Sequence, residues 1–258
     1  MEQIERALRK SREQRRTAIR HQNGTTARIR LTPAASHTQT RCVSLAPALL
    51  DANRIVTAAV HHPVTDVYRS LRAQVLQALN ARDKTTIGIT SANHGEGKTL
   101  TAVNLAIAMA MDVNHNVLLV DADLRNPGVA NCLGLEATLG VSDYLTGNAT
   151  IADCLVHPRI ERLTVLPARN RIGNSAELLA SPQMVNLARE LKERYADRLI
   201  VYDLPPILTV GDAIGFLPTI DATLLVVRDG ATRVPDLNRA LELLGGYNLI
   251  GTVLNGVP

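Results

Sequence analysis

SANHGEGKT, residues 91–99, follows directly on the apolar run Ile87-Gly88-Ile89 and decides how this 258-residue chain is read. Glycines at 95 and 97 let the backbone fold until its N–H groups converge. The helix that begins behind them adds partial positive charge at its N-terminus, and Lys98 adds a full one. The stretch is therefore a phosphate-binding P-loop, with Ala92 standing where the common pattern has its first glycine. Gly95, Glu96, Gly97, Lys98, Thr99 and Leu100 are the residues expected around a nucleotide. Lys98 would reach its β and γ phosphates, and the Thr99 hydroxyl would reach Mg²⁺. A short GK[ST] is common by chance; the strand before it and the apolar helix Leu100 to Met111 after it give it weight.

Outward from this loop, short apolar runs recur at 86–90, 117–121, 163–167, 199–203, 223–228 and 249–254. Helix-like segments separate them, most clearly at 99–111, 176–195 and 235–246. Strands without polar alternation need cover on both faces, which predicts an α/β fold of the P-loop NTPase kind: a mostly parallel, doubly wound sheet flanked by helices. Ligands in such sheets sit beyond the carboxyl ends of the strands. There the chain places Asp121 and Asp123, in LLVDADLR (118–125), and Asp203, in LIVYDLPP (199–206). Residues two apart on an extended chain point the same way, so Asp121 and Asp123 can face one site. Any single aspartate has a bland reading as a cap or turn residue. Three of them around one P-loop instead supply a metal ligand and a group that accepts a hydroxyl proton.

The remainder of the chain bounds the function. With 46% hydrophobic and 20% charged residues, one large core is expected, over 63–258. Before it come a basic helix over 1–24 and a linker with a weakly helical segment over 25–62, so the N-terminal extension is helical or disordered. Arg6, Arg9, Lys10, Arg12, Arg15, Arg16, Arg20, Arg28 and Arg30 concentrate the positive charge in that extension, which suits an anionic surface or simply a solvated helix. Aromatic residues make up 2% of the chain, too few for base-stacking platforms, so no specific nucleic-acid partner is expected. Apolar runs are strand-sized, and nothing resembles a secretory signal, which points to the cytoplasm. Cys42, Cys132 and Cys154 lack metal-ligand spacing, and the His61-His62 pair has no further ligand nearby, so no structural zinc is expected. A helix should follow Pro63 with Val67, Leu71, Val75, Leu76 and Leu79 on one face.

ITSANHGEGKT (89–99), LLVDADLR and LIVYDLPP together resemble the Walker A, A′ and B motifs of the bacterial tyrosine kinases, cytoplasmic partners of polysaccharide chain-length regulators. The DxDxR of the second motif is the specific element. The likeness extends to VSDYLTG (141–147), VVRDGATR (226–233) and GTVLNGV (251–257), and so runs over residues 64–258. It implies an ATP- and Mg²⁺-dependent kinase of capsular or exopolysaccharide synthesis. It also implies peripheral association with the inner membrane through the cytoplasmic tail of a chain-length regulator. Lys98, Asp121, Asp123 and Asp203 would be catalytic, with Asp121 or Asp123 deprotonating a tyrosine. Thr99, Asp121 and Asp203 would hold the metal, Arg125 would neutralise phosphate or fix its loop, and Asn255 would contact adenine.

DVYRSLR (66–72) is similar to the family's ExxRxxR element, so Asp66, Arg69 and Arg72 would join subunits of a homo-oligomer, with Asp in place of Glu. Many members carry a tyrosine-rich tail. The tyrosines here, Tyr68, Tyr144, Tyr195, Tyr202 and Tyr247, are scattered, so tail autophosphorylation is not expected unless the chain is a fragment. Two alternatives stand beside the kinase. A ParA/MinD-type positioning ATPase would carry a signature lysine where this chain has Asn93, and a nucleotide-gated scaffold would turn over ATP without making phosphotyrosine.

Overall fold

The computed structural model describes residues 40–56, 63–81, 84–195, 197–209 and 212–256. The basic helix expected over 1–24, the first part of the linker and His61-His62 lie outside them. Eight strands form one sheet: β1 (Arg41–Cys42), β2 (Thr86–Ser91), β3 (Asn116–Asp121), β4 (Val156–His157), β5 (Leu163–Leu166), β6 (Arg198–Asp203), β7 (Ala222–Arg228) and β8 (Leu249–Asn255). Their order is β1-β4-β5-β3-β6-β2-β7-β8, and every pairing is parallel except β4 with β5. All six expected strands are present.

The longest helices are α1 (Pro63–Asn80), α2 (Lys98–Ala110), α3 (Pro182–Arg194) and α4 (Val234–Leu244). Residues of β3 and β6 alternate between two cores. Val117, Leu119, Leu199 and Val201 point to the side of α2, whereas Leu118, Val120, Ile200 and Tyr202 point to the side of α3. This two-sided burial is why the strands lack polar alternation. α2 is Ala-rich and buried along nearly its whole length between the sheet and α1. Its one buried interior amide, Asn104, is satisfied by accepting from Val56 N and donating to Arg54 O.

Three local expectations are corrected. Val67 is 64% exposed, because the buried stripe of α1 runs instead through Thr65, Tyr68, Val75, Leu76 and Leu79. The helix expected over 176–195 is two helices, Ser175–Leu179 and α3, since Pro182 has no N–H to continue a helix and Ser181 caps the second by accepting from Met184 N at 3.2 Å. Of the weakly helical segment expected within 25–62, the described residues are helical only over Pro47–Ala52. That segment also packs on the sheet: β1 pairs with β4, Asn53 Nδ2 donates to Cys132 O at 3.0 Å, and Leu50, Ile55 and Val56 are buried.

The strand order β3-β6-β2 brings the carboxyl ends of three central strands side by side. Asp121 and Asp203, the last residues of β3 and β6, are direct partners across the ladder. The P-loop leaves β2 immediately beside them.

Candidate active site

The P-loop turns on two glycines in the left-handed region, Gly95 at φ 77° and Gly97 at φ 94°, and α2 begins at Lys98. Lys98 is buried, with Nζ 2.8 Å from Asp123 Oδ2, 3.3 Å from Asp203 Oδ1 and 3.1 Å from Thr99 Oγ1. The Thr99 hydroxyl donates to Asp203 Oδ2 at 2.7 Å. Asp121 is differently engaged. Its Oδ1 accepts from Asp123 N at 3.3 Å, while its Oδ2 accepts from Gly128 N and Val129 N at 3.1 and 3.0 Å, at the start of the short helix Val129–Leu133. Asp123 Oδ1 accepts from Asn126 N at 2.9 Å.

Three carboxylates at most 1% exposed thus face a single ammonium group. Burial, reinforced by the charge of Asp203, raises the carboxyl of Asp121 well above the ordinary range. Burial raises that of Asp203 too, against the pull of Lys98. Burial would lower the ammonium of Lys98, but the charges of Asp203 and Asp123 outweigh it and raise it. The cluster is over-negative in a dry place, and its donors are hydroxyl and carboxylate oxygens. That is the chemistry a hard divalent cation such as Mg²⁺ satisfies, with phosphate oxygens and water completing its shell.

Lys98, Thr99, Asp121, Asp123 and Asp203 therefore come together. Arg125 stands at the edge of the group, its Nε donating to Ser175 Oγ at 3.2 Å and tying the loop after β3 to the helix Ser175–Leu179. Asn255 reaches the P-loop itself, Nδ2 to Glu96 O at 3.0 Å, and the Glu96 carboxylate bonds protein groups behind the loop. Asp66, Arg69 and Arg72 lie elsewhere. Asp66 and Arg69 form an exposed pair at 3.0 Å, while Arg72 Nη1 donates to Ala108 O at 2.9 Å, ten residues and about 15 Å along α2 from Lys98.

Two contributions escaped the sequence reading. Gly128 lets the loop after β3 approach Thr99 so closely that a Cβ there would sit 3.0 Å from Thr99 Cγ2. Arg228, the last residue of β7, and Thr232, in the loop after it, bond to the P-loop. The rule that sites lie beyond strand carboxyl ends covered that loop as well, and Asp229-Gly230 marks it as a turn, but nothing in VVRDGATR singles out Arg228 and Thr232 as the residues that reach the P-loop.

Residues 84–230 match the family model of the AAA domain called AAA_31. Tyrosine-protein kinase YwqD of Bacillus subtilis (strain 168) is 35% identical over 194 residues, 74% of this chain and 81% of that protein. Succinoglycan biosynthesis transport protein ExoP of Rhizobium meliloti (strain 1021) is 31% identical over 209 residues, 79% of this chain and 26% of ExoP. Among solved structures, the chimerical protein CapA2B2 superposes with a TM-score of 0.73 at 28% identity, covering 84% of this chain and 93% of its own.

Proposed function

The chain belongs to the bacterial tyrosine-kinase family, and from that membership and its site we infer an Mg-ATP-dependent protein-tyrosine kinase of capsular or exopolysaccharide synthesis. The observation that carries the reading is the convergence of Lys98, Thr99, Asp121, Asp123 and Asp203 at the ends of three adjacent strands. Bound Mg-ATP supplies the transferable phosphoryl group and a cation that offsets its charge. Lys98 would hold the phosphates, drawn from its place among the carboxylates, and Thr99 with Asp203 would hold the metal.

The same geometry separates the two aspartates of the second motif. Asp121 has both oxygens committed to backbone N–H groups, so it keeps the loop in shape and adds negative charge beside the metal. Asp123 Oδ2 makes only the ion pair with Lys98 and would be freed if Lys98 turned to phosphate, which would make Asp123 the group that takes the tyrosine proton.

The acceptor tyrosine is placed on a partner rather than on this chain's described tyrosines. Tyr68 and Tyr202 are buried in the core, and Tyr144, Tyr195 and Tyr247 are each partly covered. A membrane chain-length regulator, whose cytoplasmic tail meets the active site, is the proposed partner, and ExoP, named for polysaccharide transport, supports that class. No helix among the described residues is long and apolar enough to cross a membrane. Association with the inner membrane would therefore run through that partner. Self-assembly would use the outer face of α1, where Asp66, Arg69 and the exposed Val67 lie together. A positioning ATPase is disfavoured by Asn93, whose Nδ2 donates to Asp236 Oδ2 at 3.1 Å where the signature lysine would reach a second subunit.

The test is phosphotyrosine formation on the partner's cytoplasmic segment with Mg-ATP. Wild type is expected to label it, and Lys98→Met to lose at least about a hundredfold in rate while keeping its fold. Equal labelling by Lys98→Met would refute the site, and ATP turnover without any phosphotyrosine would make the protein a nucleotide-gated scaffold.

A further inference from the structure

We propose that Thr232, Arg228 and Asn255 form a brace behind the P-loop: positioning residues that hold its amide groups ready for a triphosphate before nucleotide arrives. This rests on the reading of the loop as an Mg-ATP site and adds a second layer to it, supplied by the two strands on the far side of β2 from the aspartates.

The left-handed glycines 95 and 97 flank Glu96, and such a change of hand turns successive N–H groups to one side of the chain and the carbonyls to the other. Outward carbonyls need partners of their own if the loop is to keep one shape. Both find them. Arg228 Nη1 donates to Gly95 O at 2.9 Å, and Asn255 Nδ2 donates to Glu96 O at 3.0 Å.

Between these two props sits the Glu96 carboxylate, 4% exposed. Its Oε1 accepts from Thr232 Oγ1 at 2.7 Å and its Oε2 from Asn93 N at 3.1 Å. The Thr232 oxygen in turn accepts from Arg228 N at 2.9 Å, which leaves its O–H directed at Glu96. Asp229 N donates to Asn255 O at 2.8 Å, so the loop after β7 and the end of β8 move as one piece. The fit is tight enough to constrain sequence. A Cβ on Gly97 would fall 1.9 Å from Asn255 Nδ2, so glycine is required there by the brace as well as by its φ.

Two effects on nucleotide follow. Held by Thr232 and the Asn93 amide, the negative charge of Glu96 is kept from turning into the phosphate nest, where it would repel a triphosphate. A loop ordered beforehand also spares the nucleotide the entropy of ordering it, and the saving appears as affinity. Thr232 acts only through Glu96, so its effect is one of position.

The experiment uses the full chain with Thr232→Val, which keeps the shape and removes both the donor to Glu96 and the acceptor of Arg228 N, and Thr232→Ser, which restores both. Mg-ATP binding is measured by calorimetry, and backbone hydrogen exchange is measured without nucleotide. For Thr232→Val, exchange over residues 93–98 should quicken about tenfold while β3 and β6 stay protected, and the Mg-ATP dissociation constant should rise about five- to tenfold. Thr232→Ser should return both to within about twofold of wild type. Wild-type affinity and exchange in Thr232→Val would overturn the proposal, as would faster exchange spread evenly over β3 and β6, the mark of general destabilisation. Failure of wild type to bind Mg-ATP would instead refute the nucleotide-site reading, with the nucleotide-free exchange still deciding the brace.

Discussion

The ammonium of Lys98 holds together a cluster that would otherwise repel itself. Because burial raises the Asp203 carboxyl above its unfolded value, this group's contribution to stability is fully present below the ordinary carboxylate pKa, about 4, and is lost as pH rises through the folded value. Asp203→Asn keeps a partner for Lys98 and for the Thr99 hydroxyl while removing one charge. The nucleotide-free variant should therefore be about 1 kcal/mol more stable near neutral pH, with a flatter dependence on pH, and should lose Mg-ATP-dependent activity about a hundredfold. Thermal unfolding across pH, beside a phosphotyrosine assay, checks both halves. Cysteines offer an independent probe of burial. Cys132 is pushed up to about 11 by burial and by the charges of Asp203 and Asp121, and Cys154 is pushed up to about 11 by burial and the charge of Asp143. Iodoacetamide at pH 8 should therefore label exposed Cys42 alone, as peptide mass mapping would show. Of the site, the residues with a chemical signature were legible: the glycines, Lys98, Thr99 and the three aspartates. The different engagements of Asp121 and Asp123 were not, because they depend on which backbone N–H groups the loop after β3 brings round.

At the scale of elements, the six long strands declared themselves as short apolar-rich runs; the central ones lack polar alternation because both their faces are covered, whereas β8, at the sheet edge, is only partly buried. β1 and β4, with two residues each, carry no periodicity to read and exist only through their pairings, β1 with β4 and β4 with β5. Strand order was equally hidden, since β6 lies between β3 and β2 although the chain reaches it much later. Val67 shows how an apolar residue misleads: the spacing from 67 to 79 fits a helix face, yet Tyr68 holds the buried position and Val67 faces outward. The break before α3 was readable from Ser181-Pro182, a cap followed by a first-turn proline. Ser181→Ala should cost about 1 kcal/mol, lowering the unfolding midpoint by roughly 2–4 °C, with Mg-ATP affinity unchanged. Calorimetric unfolding and nucleotide titration of the variant check this.

For the whole molecule, one sheet does two jobs. Its two faces bury separate cores that fix the central strands, and the carboxyl ends of those strands, held in register, present the site. The outer face of α1 lies away from that site, which leaves assembly and chemistry free to use different surfaces. Fold class followed from the alternation of strand and helix. Partner and acceptor are matters of surface, on which a single chain writes little. The central claim is that one ammonium serves two states, resting among carboxylates and then moving to phosphate. A crystal structure of the full chain with Mg²⁺ and a non-hydrolysable ATP analogue tests it most directly. Lys98 Nζ is expected within hydrogen-bond distance of the β and γ phosphates, the metal on Thr99 Oγ1, and Asp123 Oδ2 open to an incoming hydroxyl. Lys98 still paired with Asp123 and Asp203 beside a fully bound analogue would contradict it.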